Sequence, residues 1–150
     1  MKLGDRIQSL LKSKSSNAVL SVRPDQSVFE AIEKMAEHGV GALLIIEHNR
    51  LLGIITERDY ARKVIIRGRS SKDTLVRDIM TSPVVFVTPQ QTVDDCMTLM
   101  TVHHFRHLPV LDGDKVVGIV SIGDLVKWII TGQERAIQQL ESYISGTYPG

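Results

Sequence analysis

The chain has a single cysteine, Cys96, in 150 residues. No internal disulfide can form, and a lone thiol suits a reducing compartment. Net charge is nearly absent as well, +1 from 18 Lys+Arg against 17 Asp+Glu, so no long-range field gathers nucleic acid or an acidic membrane. No run approaches the roughly 18 apolar residues that a membrane span requires. The opening Met1-Lys2-Leu3-Gly4-Asp5-Arg6 lacks the apolar core of a signal peptide. There is no Walker loop, no G-x-G-x-x-G, no nucleophile elbow and no plausible triad. These absences predict a cytoplasmic protein that is not an enzyme. An organellar protein trimmed of its transit peptide would read the same way.

What is present is a repeat. Apolar residues make up 43% and charged residues 23% of the chain, the composition of one globular domain rather than a disordered segment. Sliding the chain by 65 residues lays Val22–Tyr60 on Val87–Leu125 without a gap, with ten of 39 positions identical. Pro24/Pro89, Met35/Met100, His38/His103, Gly53/Gly118 and Asp59/Asp124 are among the matches. Self-similarity of this kind decides the architecture before local reading begins.

Each copy reads as βαββα. A short apolar run, Ala18–Val22 or Val84–Val87, stops at Pro24 or Pro89. A helix follows, and Ser27-Val28-Phe29-Glu30 has the form of a capping box. Val28, Ala31, Ile32 and Met35 form one helical face, as do Val93, Cys96, Met97 and Met100. Two strands then make a hairpin: Ala42–Glu47 with Leu51–Thr56, and Leu108–Leu111 with Val116–Ser121. A second helix closes each copy, Glu57–Arg67 in the first and Ile122 to about Ser145 in the second, before Gly146 and Pro149. Short helices are expected near residues 4–12 and at Thr74–Met80. The domain reading is an N-terminal helix at 1–13, repeats at 14–70 and 71–132, and a C-terminal helix extension and tail at 133–150. A small three-stranded sheet with its helices cannot cover both faces. Two α/β (α+β) copies packed face to face with approximate two-fold symmetry, and two clefts between them, are therefore expected.

Other residue groups read as structure. His103, His104 and His107 straddle a helix end and a strand start with no Cys, Asp or Glu at metal spacing, so no metal is expected. His38 and His103 suit the last turn of a helix, where a cation complements the dipole. Cys96 aligns with Ala31 on the buried stripe and reads as core. The basic residues Arg58, Arg62, Lys63, Arg67, Arg69, Lys72 and Arg77 are interspersed with aspartates and lack stacking aromatics beyond Tyr60. Nucleic-acid binding is not expected from them.

The pattern strand–Pro–helix–hairpin ending Gly53-Ile54-Ile55-Thr56-Glu57-Arg58-Asp59 and Gly118-Ile119-Val120-Ser121-Ile122-Gly123-Asp124 resembles the CBS domain. Arg106-His107-Leu108-Pro109 and the linker phrase Asp78-Ile79-Met80-Thr81 strengthen the likeness, which covers residues 14–132. The runs Gly39-Val40-Gly41-Ala42-Leu43, Thr56-Glu57-Arg58-Asp59-Tyr60 and Gly68-Arg69-Ser70-Ser71-Lys72 resemble those of the small stand-alone CBS pairs. The resemblance implies a regulatory module that binds an adenine nucleotide, of AMP, ATP or NAD(H) type, in the clefts. Occupancy would be passed to a target protein. It implies that Asp59 and Asp124 hold a ribose, beside Thr56 and Ser121, with Arg58, Arg106 and His107 toward phosphate. The bland reading of Thr56 and Asp59 is a helix capping box, and the two are compatible. The clefts are expected to differ, because Gly41 and Ala42 stand where the second copy has Arg106 and His107. A homodimer is expected from apolar surface at Trp128, Ile129 and Ile130. The alternative is a constitutive protein-interaction scaffold with degenerate pockets.

Overall fold

Ser27 and Thr92, equivalent in the two repeats, start the first helix of each. Ser27 Oγ accepts from the Glu30 N–H and Thr92 Oγ1 from the Asp95 N–H, both at 3.1 Å. The reciprocal half of the capping box forms only in the second repeat, where Asp95 accepts from the Thr92 N–H at 2.9 Å. Glu30 instead accepts from Gln26 Nε2. Both helices end in a left-handed residue, Gly39 at φ 65° and His104 at φ 58°. The 65-residue offset thus survives in backbone conformation where the residue type has changed.

A computed structural model describes residues 2–145, and the expected helix stop at Gly146 and Pro149 lies outside the described residues. In chain order the elements are α1 (Ile7–Ser13), β1 (Ser21–Val22), α2 (Val28–His38), β2 (Ala42–Glu47), β3 (Arg50–Thr56) and α3 (Glu57–Tyr60). A π-helical turn at Ala61–Ile65 and a 3-10 turn at Val76–Asp78 follow. Then come α4 (Val93–His103), β4 (His107–Asp112), β5 (Lys115–Ser121) and α5 (Ile122–Ser145). The architecture is the mixed α/β one expected.

Strands order β1-β2-β3, with β1 parallel and β3 antiparallel to β2. The β2–β3 loop puts both His48 and Asn49 at positive φ, as a two-residue type I′ turn requires. The second sheet holds only β4 and β5. The run Val84–Val87, expected as a strand, makes a single parallel bridge at Val87↔Val110. Proline explains the difference. In the first repeat the Leu44 N–H donates to Leu20 O at 3.2 Å. Pro109 occupies the equivalent of Leu44 and has no N–H to give. The expected helix at Thr74–Met80 shrinks to one 3-10 turn. The one at Glu57–Arg67 loosens to π geometry after Tyr60, closed by the Ile66 N–H on Ala61 O.

The described chain separates into two compact units, one of residues 2–17, 87–110 and 118–145, the other of residues 18–86 and 111–117. The segment that precedes each repeat serves the other repeat's first helix. In the unit of the first repeat, the Val28 and Phe29 N–H groups donate to Thr74 O and Ser71 O, and the Val76 N–H to Gln26 O. In the unit of the second repeat, the Val93 and Asp94 N–H groups donate to Asp5 O and Leu3 O, and the Ile7 N–H to Gln91 O. The orphan amides of α2 and α4 are satisfied by the same device. Val76 and Ile79 in one unit, and Ile7 and Leu10 in the other, fill equivalent core positions.

Candidate functional site

Thr56 and Asp59 sit where β3 becomes α3. The Asp59 N–H donates to Thr56 Oγ1 at 3.1 Å, and the Thr56 N–H donates back to Asp59 Oδ2 at 3.0 Å. That is the capping box anticipated from the sequence. Thr56 Oγ1 also donates to Oδ2, at 3.1 Å. The other carboxylate oxygen, Oδ1, lies 3.0 Å from Lys63 Nζ and accepts from Thr81 Oγ1 at 3.3 Å. Lys63 Nζ donates in addition to Ile79 O at 2.9 Å. Both oxygens of Asp59 are committed, and its side chain is 12% exposed.

Ser121 and Asp124 repeat the geometry where β5 becomes α5. The Asp124 N–H donates to Ser121 Oγ at 3.1 Å and the Ser121 N–H to Asp124 Oδ2 at 2.9 Å. A lysine is again present, but it comes from the far end of the chain. Lys14 Nζ lies 3.0 Å from Asp124 Oδ2 and donates to Ile119 O at 3.0 Å. Among the described residues Asp124 Oδ1 accepts no hydrogen bond, and the side chain is 26% exposed. The two aspartates therefore differ. One is a saturated carboxylate; the other keeps an oxygen that an external donor can use.

Arg106 reaches this second group through its backbone: the Ile122 N–H donates to Arg106 O at 2.9 Å. In the first repeat the Glu57 N–H donates to Gly41 O at 3.1 Å in the same position. The Arg106 side chain is exposed and that of His107 half-buried. The Arg58 side chain is exposed. The residues read from the sequence are thus gathered by element: Thr56, Arg58 and Asp59 at the start of α3, and Arg106, His107, Ser121 and Asp124 around the start of α5. Among the described residues no three metal-ligating side chains group together, and no helix is long and apolar enough to cross a membrane.

Sequence reasoning did not find Lys14, Lys63 or Thr81. Lys63 follows Asp59 by four residues on one helical face, a spacing that was there to be read. Thr81 is signalled only by its place in the linker phrase Asp78-Ile79-Met80-Thr81. Lys14 has no local signal, since it meets Asp124 across 110 residues of chain. Trp128, taken as surface available to a second copy, is instead buried within its own unit, and its Nε1 donates to Asp5 Oδ2 at 3.1 Å. Ile130 is exposed.

Comparison with known proteins adds four relations. The profile of the CBS domain matches residues 14–66 and again 76–131. The mitochondrial CBS domain-containing protein CBSX3 of Arabidopsis thaliana is 43% identical over 150 residues, covering 95% of this chain and 73% of that protein. A solved CBS-domain protein of Burkholderia ambifaria superposes with a TM-score of 0.83 at 50% identity, covering 86% of this chain and 96% of that one. The CBS domain pair of protein MJ0100, solved in complex with 5′-methylthioadenosine and S-adenosyl-L-methionine, superposes with a TM-score of 0.74 at 26% identity, covering 86% and 98%.

Proposed function

Because the chain belongs to the CBS-domain family and carries two CBS domains in tandem, we propose that this regulatory module senses an adenine nucleotide of AMP, ATP or NAD(H) type and reports its occupancy to a target protein. The observation that carries the reading is the Asp124 group. A carboxylate at the start of a long helix keeps one oxygen open, and vicinal ribose hydroxyls are suited to donate charge-assisted hydrogen bonds to it. Lys14 brings a cation to the same group, and Arg106 is tied to it through its backbone carbonyl. The Asp59 group is the second candidate, and there a ribose must compete with Lys63 and Thr81. The solved complex of the MJ0100 pair with two adenosine compounds supports the ligand class. Thr56, Ser121, Arg58 and His107 complete the proposed contacts.

The saturation of Asp59 favours a second reading, a constitutive interaction scaffold in which the carboxylates act as caps only. Replacement by Asn separates the two, since Asn can keep the cap and loses the charge. Asp124→Asn is expected to weaken binding of AMP, ATP or NAD at least about tenfold while the fold persists, because hydrogen bonds to a charged group contribute about 1.5–3 kcal/mol. Asp59→Asn is expected to cost less. Isothermal titration of both variants against wild type checks this: unchanged affinities would leave the carboxylates as caps only, and no binding of any adenine compound to the wild type would favour the scaffold. The proposal also includes self-association as a homodimer and residence in a reducing compartment, the cytoplasm in the first instance.

A further inference from the structure

Helix α5 has two apolar faces. One is used: Leu125 and Trp128 are buried against their own unit. The other is not, and its spacing is regular. Val126, Ile130, Gln133, Ile137, Leu140 and Ile144 succeed one another in steps of four and three, the heptad seam of a coiled coil. Isoleucine occupies every first position (130, 137, 144), while Val126, Gln133 and Leu140 fill the fourth. Exposure rises along the seam, from 43% at Val126 and 47% at Ile130 to 56% at Ile137, 59% at Leu140 and 76% at Ile144.

From Gln133 to Glu141 every described side chain is exposed, yet the backbone stays helical to Ser145. A segment of this length, near the limit of about 12–15 residues, is marginal as an isolated helix in water. It needs a cover that its own unit does not give. The seam itself says what the cover is. The positions beside it are Lys127, Glu134 and Glu141 on one side, and Ile129 and Ala136 on the other. An antiparallel partner of the same sequence over residues 126–144 would set Gln133 against Ile137 twice, leaving both amides against an apolar side chain. A parallel in-register partner sets Gln133 against Gln133, where each amide can donate to and accept from the other, and sets each glutamate against Ile129 or Ala136. β-Branched residues at the first heptad position favour two strands, and one polar seam residue, here Gln133, fixes the register.

We propose that residues 126–144 of α5 form a two-stranded parallel coiled coil with the same helix of a second copy of this chain. The proposal rests on the self-association stated above and not on the nucleotide reading. It gives the dimer a rod through which a rearrangement of one copy can be felt by the other.

Cysteine cross-linking of the full chain tests it, with the native Cys96 buried and silent. Gln133→Cys places a thiol on the seam, where a parallel in-register pair brings identical positions together. Arg135→Cys places one on the opposite side of the same helix. Under mild oxidation the expected result is a disulfide-linked dimer as the main product for Gln133→Cys, with Arg135→Cys unlinked. Adding Ile137→Glu to Gln133→Cys should abolish the linked band. Equal linking of the two cysteine variants, or none in either, would overturn the coil. Light scattering on the same samples separates the ideas: a dimer with Gln133→Cys unlinked removes the coil but keeps self-association, and a 16.7 kDa species removes both.

Discussion

Asp59 and Asp124 carry the same sequence motif, yet their surroundings make them different reagents. Each caps a helix and each meets a lysine, but only Asp124 retains an oxygen without a partner among the described residues. Cys96 is the contrasting case, a reactive residue type silenced by position. Burial, with a smaller contribution from the charge of Asp95, pushes its thiol up to about 12. The thiolate fraction at pH 8 is then on the order of 10⁻⁴, so iodoacetamide should label the folded chain only as fast as it unfolds. The sign of the alkaline effect follows. Between about pH 9 and 12 the unfolded thiol ionises while the folded one keeps its proton, so stability falls by about 1.4 kcal/mol per pH unit. Cys96→Ala, which restores the residue type of Ala31 in the first repeat, should remove that slope in denaturant titrations across the window. Rapid alkylation of the native protein at pH 8 would contradict the buried assignment. The core role of Cys96 was legible from the apolar stripe and from its alignment with Ala31. Lys14 was not, because nothing near Asp124 in the sequence points to residue 14.

At the scale of elements, the glycines that open the motif show how the exchanged segments pack. A Cβ at Gly53 would meet Met80 Sδ at 2.6 Å and the Thr81 carbonyl oxygen at 3.0 Å. A Cβ at Gly118 would meet a methyl of Leu11 at 3.0 Å, with its other methyl at 3.7 Å and Asn17 Oδ1 at 3.9 Å, all of them side-chain atoms. A side-chain methyl can turn aside, whereas a backbone carbonyl held by the Ile54–Thr81 bridge cannot. Gly53→Ala should therefore destabilise by about 1–3 kcal/mol, the range for overpacking, and Gly118→Ala by clearly less, as read from urea midpoints. The opposite order would mean that Met80 and Thr81 yield more easily than Leu11. The first helix of each repeat, the hairpins and the order of elements were legible because periodicity and turn residues act locally. The first strand of the second repeat was misread because Val84–Val87 has strand composition. What prevents the ladder is Pro109 on the neighbouring strand, a non-local cause. The loosening after Tyr60 into a π turn left no mark that composition could show.

For the molecule as a whole, the exchange of segments predicts an uneven response to truncation. Ile7, Leu10 and Leu11 are buried in the unit of the second repeat. At about 1.5–3 kcal/mol for each buried side chain, losing them removes an amount comparable with the roughly 5–15 kcal/mol that holds a domain folded. Deleting residues 2–13 should strip hydrogen-exchange protection from Leu108 and Val110 while Leu43 and Ile45 keep theirs. Loss at Leu43 first would refute the assignment. Self-comparison at an offset of 65 could not reveal this exchange, because the swapped segments correspond at about 69 and share almost no identities. The same exchange sets a timetable for synthesis. Residues 18–86 hold most of one unit and leave the ribosome together, whereas the segment that caps α4 and supplies Lys14 is made well before its partners and meets them late. At about 5–20 residues per second, Lys14 waits on the order of ten seconds for Asp124 to be made. During that interval the apolar side of α1 lacks the partners that bury it in the folded unit.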